Sequence, residues 1–344
     1  MRVVVVGCRS EPAESPLADW LSADVLEQEP ALKNLLKSCS AAVFNEVRFY
    51  SADGQRTASH SGRKTLGYLL AAGQLTTALA ESAGEAGVVF ADPCDLSHVR
   101  LAEDAATFGG SPPLAAKVLL VACSRPAEVM VRLSMPGRNV PRGVLMATAI
   151  DATWPAAKVE KHLGTTLHVV HLSHGDLAMA FGVGSTVHLR MIQPLETRLD
   201  AASLAAALPR TLQAAGVLPE DFALAHPRVA CWLPPDGVAL DLEDHVAKRT
   251  LLIGTAGGFA DRITAQTLWP SIRSAVLGAD VAVKALNAPD LQAALNTFNT
   301  VWRRELADAL RPPHTAIGML FPLLFSNRQM VVRFAGAMLS GQQL

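Results

Sequence analysis

Residues Arg249 to Leu286 constrain the fold of this 344-residue chain more than any other stretch. Leu251, Leu252, Ile253 and the aliphatic part of Thr250 form a buried strand that runs into Gly254-Thr255-Ala256-Gly257-Gly258. A long helix with Ala/Val/Leu periodicity follows after a short loop. Strand, glycine turn and helix in that order are how α/β folds offer backbone N–H groups to a ligand at a strand's carboxyl end.

The rest of the chain is consistent with that reading. Arg2 to Cys8 is a β-branched run suited to a strand covered on both faces of a parallel sheet. Pro16 to Ser22 is predicted to form two helical turns, and Ala23 to Glu27 a second strand ending on an acid. Thr65 to Ala86 reads as a helix, with strands at Val88 to Phe90 and Ala116 to Ala122. The middle differs: Leu167 to Leu172, Leu177 to Val183 and Thr186 to Ile192 are strands joined by short turns, hence antiparallel sheet. Ala201 to Ala215 is a helix and Arg228 to Leu233 a strand. Beyond the glycine turn the chain is helical over Thr267 to Leu286, Pro289 to Leu310 and Thr315 to the end.

Composition narrows the function classes. Thirty basic and 31 acidic residues give a formal charge of −1, so no field of one sign exists to attract nucleic acid or an anionic membrane. Five scattered cysteines without CxxC spacing read as reduced thiols of a cytoplasmic protein. MRVVVVGC is a strand and not a signal peptide. Ala316 to Phe325 falls short of the roughly 20 residues needed to span a bilayer. Its apolar side chains, with Phe334, are expected in the core or a homodimer interface, and peripheral membrane contact stays open.

The 249–286 passage resembles the second FAD fingerprint of the aromatic-hydroxylase (FAD-dependent monooxygenase) and geranylgeranyl-reductase flavoproteins, roughly LLxGDAAGxxxPxxGxGxxxAxxSG. The order of elements matches that superfamily over most of the chain. The resemblance implies an α/β fold: a Rossmann-like domain of the FAD/NAD(P)-binding type, an inserted antiparallel-sheet substrate domain, and a helical C-terminus. The expected boundaries are 1–140 with 246–288 for the first, 141–245 for the second and 289–344 for the third.

The cofactor motifs depart from the family's pattern. After Gly7 the chain continues Cys8-Arg9-Ser10-Glu11-Pro12-Ala13-Glu14, without further glycines and with two carboxylates where phosphate oxygens would lie. Glu27 stands 20 residues after Gly7, near the place of a ribose-binding acid. The family's helix arginine is Ala72, its Asp-Gly is Cys123-Ser124, and its fingerprint aspartate is Thr255. Each missing buried contact costs on the order of 1–3 kcal/mol. The expectation is therefore no tightly bound FAD. Were FAD retained, Gly7, Glu27, Gly254, Thr255, Ala256 and Gly257 would hold it. Asp261, Arg262 and Trp269 are the candidates for pocket chemistry.

His168, His171 and His174 read as sheet histidines and not as a metal site, with His188 able to serve on a neighbouring strand. Asp151, Asp176 and Asp236 read as solvated loop acids. No GxSxG or HExxH motif supports a hydrolase. Three functions remain open. One is a diverged family member that binds or transforms a small hydrophobic molecule. The others are a working FAD-dependent oxidoreductase, hydroxylating or reducing a double bond with NAD(P)H, and a non-catalytic partner subunit of a flavoenzyme.

Overall fold

The hydrophobic patterns of this chain build one large sheet and several small ones. The computed structural model describes residues 1–8, 17–39, 41–62, 64–94, 99–108, 113–123, 145–172, 175–194, 196, 199–232, 239–311, 317–342 and 344. In chain order, β1 (Val4–Cys8) and β2 (Asp19–Ser22) precede α1 (Ala23–Gln28) and α2 (Pro30–Ser38). Then come β3 (Ala42–Phe44), β4 (Glu46–Tyr50), β5 (Thr57–Ser61), β6 (Gly67–Leu70), α3 (Gln74–Glu85) and β7 (Val89–Cys94). Short strands β8 (Arg100–Leu101), β9 (Ala106–Phe108) and β10 (Leu114–Ala116) lead to β11 (Leu119–Val121). The central stretch holds β12 (Leu145–Thr153), α4 (Ala156–His162), β13 (Thr166–His171), β14 (Leu177–Val183), β15 (Thr186–Pro194), α5 (Ala201–Ala214) and β16 (Arg228–Trp232). β17 (Val246–Ala247) and β18 (Thr250–Leu252) open onto the glycine turn. Helices α6 (Leu268–Leu286), α7 (Leu291–Asn296), α8 (Phe298–Leu310), α9 (Ile317–Leu324) and α10 (Arg328–Ser340) complete the chain.

The large sheet is seven-stranded, in the order β16-β12-β15-β14-β13-β4-β5. Its pairs are antiparallel except β13–β4. One face packs Ile150, Val170, Ala180, Val187 and Leu189 against Val159 and Leu163 around α4 and Leu204, Leu208 and Leu212 of α5. The other face packs Phe49, Val169, Met179 and Phe181 against Trp20, Leu69 and the C-terminal Phe321, Phe334 and Met338. The inner strands β14 and β15 are thus buried on both faces and largely apolar instead of alternating, while the edge strand β5 stays exposed at every second residue. The sheet also extends beyond 141–245, because β4 and β5 of the N-terminal segment form one edge.

β11 and β18, far apart in sequence, pair in parallel, with β17 antiparallel beyond β18. Gly278 lets α6 lie close over this pair: a Cβ there would come 2.8 Å from Ile253 and 3.5 Å from Leu120. Phe259, Trp269, Phe298 and Trp302 fill the core between these elements and α1–α2.

Three local readings of the sequence are corrected. Pro16 to Ser22 and Ala23 to Glu27 exchange roles: Asp19–Ser22 is strand and Ala23–Gln28 is helix. The Ser22 hydroxyl accepts from Val25 N–H at 3.3 Å and caps the helix, with Asp24 in its first turn. Thr65 to Ala86 splits into β6 and α3, because Gly67 sits under β2 and Gly73 takes φ +75° at the helix start. β1 is a strand but is not covered on both faces: it pairs with β7, and Val5 and Phe90 are 45% and 51% exposed.

Candidate functional site

β18 delivers the glycine turn to the carboxyl end of the β11–β18 pair, where Ile253 N–H donates to Val121 C=O at 2.9 Å. Gly254–Gly257 is one short 3₁₀ turn. Gly254 adopts φ +55°, and its N–H donates to Ser274 Oγ of α6 at 3.0 Å. A Cβ on Gly257 would lie 2.6 Å from the Phe259 ring and 2.9 Å from Leu252 C=O, so only glycine fits. Thr255 Oγ1 donates to Cys123 C=O at 3.2 Å and ties the turn to the end of β11, while Ala256 is buried. The N–H groups of Gly254, Gly257 and Gly258 are bound by Ser274 Oγ, Ile253 C=O and Thr255 C=O, so the turn is closed on itself and Thr255 is its one half-buried residue. Helix α6 starts only at Leu268, so its N-terminus is not the direct continuation of the turn.

The other fingerprint positions lie elsewhere. Gly7 is the penultimate residue of β1, beside β7, and is exposed. Glu27 is exposed on α1 and not at a strand end, which corrects the geometry expected for a ribose-binding acid. The loop 9–16, Ser124 and His174 fall outside the described residues.

Asp261 is 3% exposed and turns back on its own loop. Its Oδ1 accepts from Ile263 N–H, Thr264 N–H and Thr264 Oγ1 at 2.9, 2.6 and 2.8 Å. Burial outweighs these bonds and raises its pKa to about 6. Burial lowers the pKa of Arg262, whose guanidinium lies 3.9 Å from Asp241, beyond hydrogen-bond distance. Trp269 belongs to the core cluster around Phe259 and Trp302. These three residues are buried or half-buried but do not line the cavity of about 210 Å³ bordered by Ser22, Asp24, His60 and Gln342.

A polar group that the sequence reading did not assemble crosses the C-terminal-helix face of the large sheet. Pairing register sets Arg228, Asp151, His188 and Phe181 side by side on β16, β12, β15 and β14. Asp151, read as a solvated loop acid, is instead 2% exposed within β12. Its Oδ1 accepts from His188 Nδ1 at 2.6 Å, and its Oδ2 from Ala18 N–H at 2.9 Å and Arg228 at 3.2 Å. Burial alone would raise the Asp151 pKa, but these donors hold it below the ordinary value. Burial lowers that of His188, against the pull of the Asp151 carboxylate that faces its Nδ1.

Two residues along β15, Arg190 bonds Asp19 at 3.2 Å and lies over the Trp20 ring at 4.6 Å. Gln266, from the loop after the glycine turn, donates to Asp19 Oδ1 at 2.9 Å and to Trp20 C=O at 2.7 Å. Phe181 stacks on His188 at 4.6 Å and meets Trp20 edge-on at 6.2 Å. The network thus connects the large sheet to the segment beyond the turn. Among the described residues no group of three or more His, Cys, Asp or Glu is placed to hold a metal ion. His168 instead bonds Tyr50 and Leu163 C=O.

No protein-family model matches the sequence, and no curated protein matches it. The fold is that of flavoproteins, matching the FAD-dependent monooxygenases and geranylgeranyl-reductase-like proteins. A geranylgeranyl bacteriochlorophyll reductase-like protein from Thermoplasma acidophilum superposes with a TM-score of 0.72 at 14% identity, covering 96% of this chain and 87% of that one. PqsL, a probable FAD-dependent monooxygenase from Pseudomonas aeruginosa, gives 0.65 at 20% identity, covering 96% and 92%. Klebsiella pneumoniae HpxO, complexed with FAD and uric acid, gives 0.65 at 12% identity, covering 99% and 97%. These neighbours overturn the expectation of no tightly bound cofactor: the fold points to FAD. No helix among the described residues is long and apolar enough to cross a membrane.

Proposed function

We propose that this protein is an FAD-dependent oxidoreductase acting on a small, largely apolar molecule, by hydroxylation or by reduction of a double bond. The observation that carries this reading is the match of nearly the whole chain, including the sheet insertion, to flavoprotein folds. The glycine turn supports it. On this reading the Gly254-Thr255-Ala256-Gly257 turn gives the cofactor a close approach at the end of β18, with Thr255 its half-buried face, and Gly7 contacts it from β1. Bound FAD supplies two-electron transfer, with NAD(P)H as the source of electrons. The chain itself supplies the surroundings. Residues of 1–140 outside β4 and β5, with 246–288, carry the cofactor, and the large sheet with the C-terminal helices encloses the substrate. Phe49 and Phe181 of the sheet pack against Phe321 and Phe334 of α9 and α10, an apolar core that excludes water from this face of the sheet. HpxO is complexed with uric acid and PqsL with 2-aminobenzoylacetate, both small molecules.

The test is a visible absorption spectrum of protein purified without added cofactor, repeated during FAD titration and followed by NAD(P)H consumption. A yellow protein, or one that titrates to one flavin per chain, is the expected result. A colourless protein whose spectrum is the plain sum of protein and free FAD overturns the reading.

A further inference from the structure

The glycine turn after β18 is held from two sides by buried side chains that come from elsewhere in the chain. Gly254 and Gly258 take φ +55° and +69°, and Gly257 has no room for a Cβ, so the path of the turn depends on glycine. Glycine also has the most conformational freedom to lose on folding. Such a turn keeps one shape only where its polar backbone atoms are bound. His245 and Ser274, both fully buried, bind two of them. His245 Nε2 lies 2.9 Å from Gly257 C=O, and because a carbonyl only accepts, Nε2 carries a proton and donates it. Ser274 Oγ accepts from Gly254 N–H at 3.0 Å and donates to Ser271 C=O, also at 3.0 Å.

Both side chains are themselves fixed. The His245 ring packs against those of Phe259 and Trp302, at 5.2 and 4.7 Å, and its backbone N–H donates to Asn299 Oδ1 of α8 at 2.9 Å. Ser274 stands on the long helix α6. The turn is thereby anchored to α6 and α8 and not to β18 alone. We infer that His245 and Ser274 are positioning residues, which hold the turn in the shape that presents Thr255 and a close approach to the flavin. The inference rests on the functional reading above in naming flavin as the ligand. Both side chains are sealed from solvent, so they act through the backbone and not by touching the cofactor. They bind Gly257 C=O and Gly254 N–H on the core side, so the ordering of the turn is complete before the ligand arrives.

The test is FAD affinity, read from quenching of flavin fluorescence, in the wild type, His245→Ala, His245→Gln, Ser274→Ala and Leu306→Ala. Leu306 is buried in the same core and has no polar atom to bond the turn, so its variant reports loss of stability alone. FAD Kd is expected to rise about tenfold in His245→Ala and in Ser274→Ala. Leu306→Ala lowers the melting temperature but keeps Kd within about twofold of the wild type. The glutamine amide can donate to Gly257 C=O, and His245→Gln is expected to recover most of the affinity. Hydrogen exchange reads the same clamp without flavin. In Ser274→Ala the Gly254 amide exchanges at least about tenfold faster, while the Ile253 amide, bound by Val121 C=O, stays protected. Equal FAD affinity in the wild type and both alanine variants overturns the inference. So does a loss in Leu306→Ala as large as theirs, or unchanged Gly254 exchange in Ser274→Ala. A wild type that takes up no flavin while Gly254 exchange still responds refutes the functional reading and leaves the clamp on the turn standing.

Discussion

Asp261→Asn is expected to stabilise the protein near neutral pH and to do little in acid. The Asp261 carboxyl, 3% exposed, has its pKa raised from 3.8 to about 6 by burial, against the opposing pull of its Thr264 and Ile263 hydrogen bonds. Between those two values the folded chain keeps a proton that the unfolded chain has already released. Its contribution is therefore full below about pH 4 and is lost as pH rises through about 6, with no further change above. At 1.36 kcal/mol per pKa unit, the ionised carboxylate costs the fold about 3 kcal/mol at neutral pH. Asparagine carries no charge, and its Oδ1 retains the three donors now bound by Asp261. Its amide N–H₂ needs an acceptor, which costs about 1 kcal/mol. The net gain is therefore about 2 kcal/mol above pH 6, shrinking to nothing or to a small loss below pH 4. Urea midpoints of both proteins, followed by tryptophan fluorescence across that range, measure it directly. A difference between the proteins that stays constant with pH would refute the assignment of the titration to Asp261.

Two further substitutions test packing. Gly67→Ala places a methyl against Leu21 C=O and 2.5 Å from the Phe44 ring, where β6 runs between β2 and β3, and is expected to cost about 1–3 kcal/mol. An unchanged melting temperature would mean those strands do not approach so closely. Trp302→Ala removes a fully buried ring that meets Phe259 edge-on at 5.2 Å and His245 at 4.7 Å, at a cost of about 3–5 kcal/mol. Chemical denaturation measures the loss, and a cost below about 1 kcal/mol would remove Trp302 from the core.

Long apolar strands and the glycine turn were legible in the sequence because their signals are local. The run Thr186 to Ile192 reads as a strand whichever fold receives it, and β15 is where that run predicts. Trp20 and Leu21 were not legible as strand. Both faces of β2 are buried, so no alternation marks it, and its length depends on pairing with β6, remote in sequence. β4 carries a fainter signal: Val47 and Phe49 are fully buried two residues apart, the period of a sheet, but the strand is only five residues long. The Asp151–His188 pair depends on register, which one strand's sequence does not fix. One hint was available: His188 and Arg190 sit two apart in an otherwise apolar strand and so share a face. Glu27 was misplaced because a spacing count from Gly7 ignores the Ser22 cap, which commits that segment to helix.

The parallel pairing of β11 with β18 also sets the order in which this chain can mature. Leu119 finds Thr250 only after everything between them has left the ribosome, so the contact is highly non-local and slow to form. Until then β11 offers an open edge, Leu120 lacks the cover of α6, and a nascent chain stalled before Arg249 exposes both. Within the large sheet, the β13–β14–β15 meander joins strands consecutive in the chain and can condense before β11 meets β18. Chains truncated before β18 should therefore aggregate more readily than chains cut after α8.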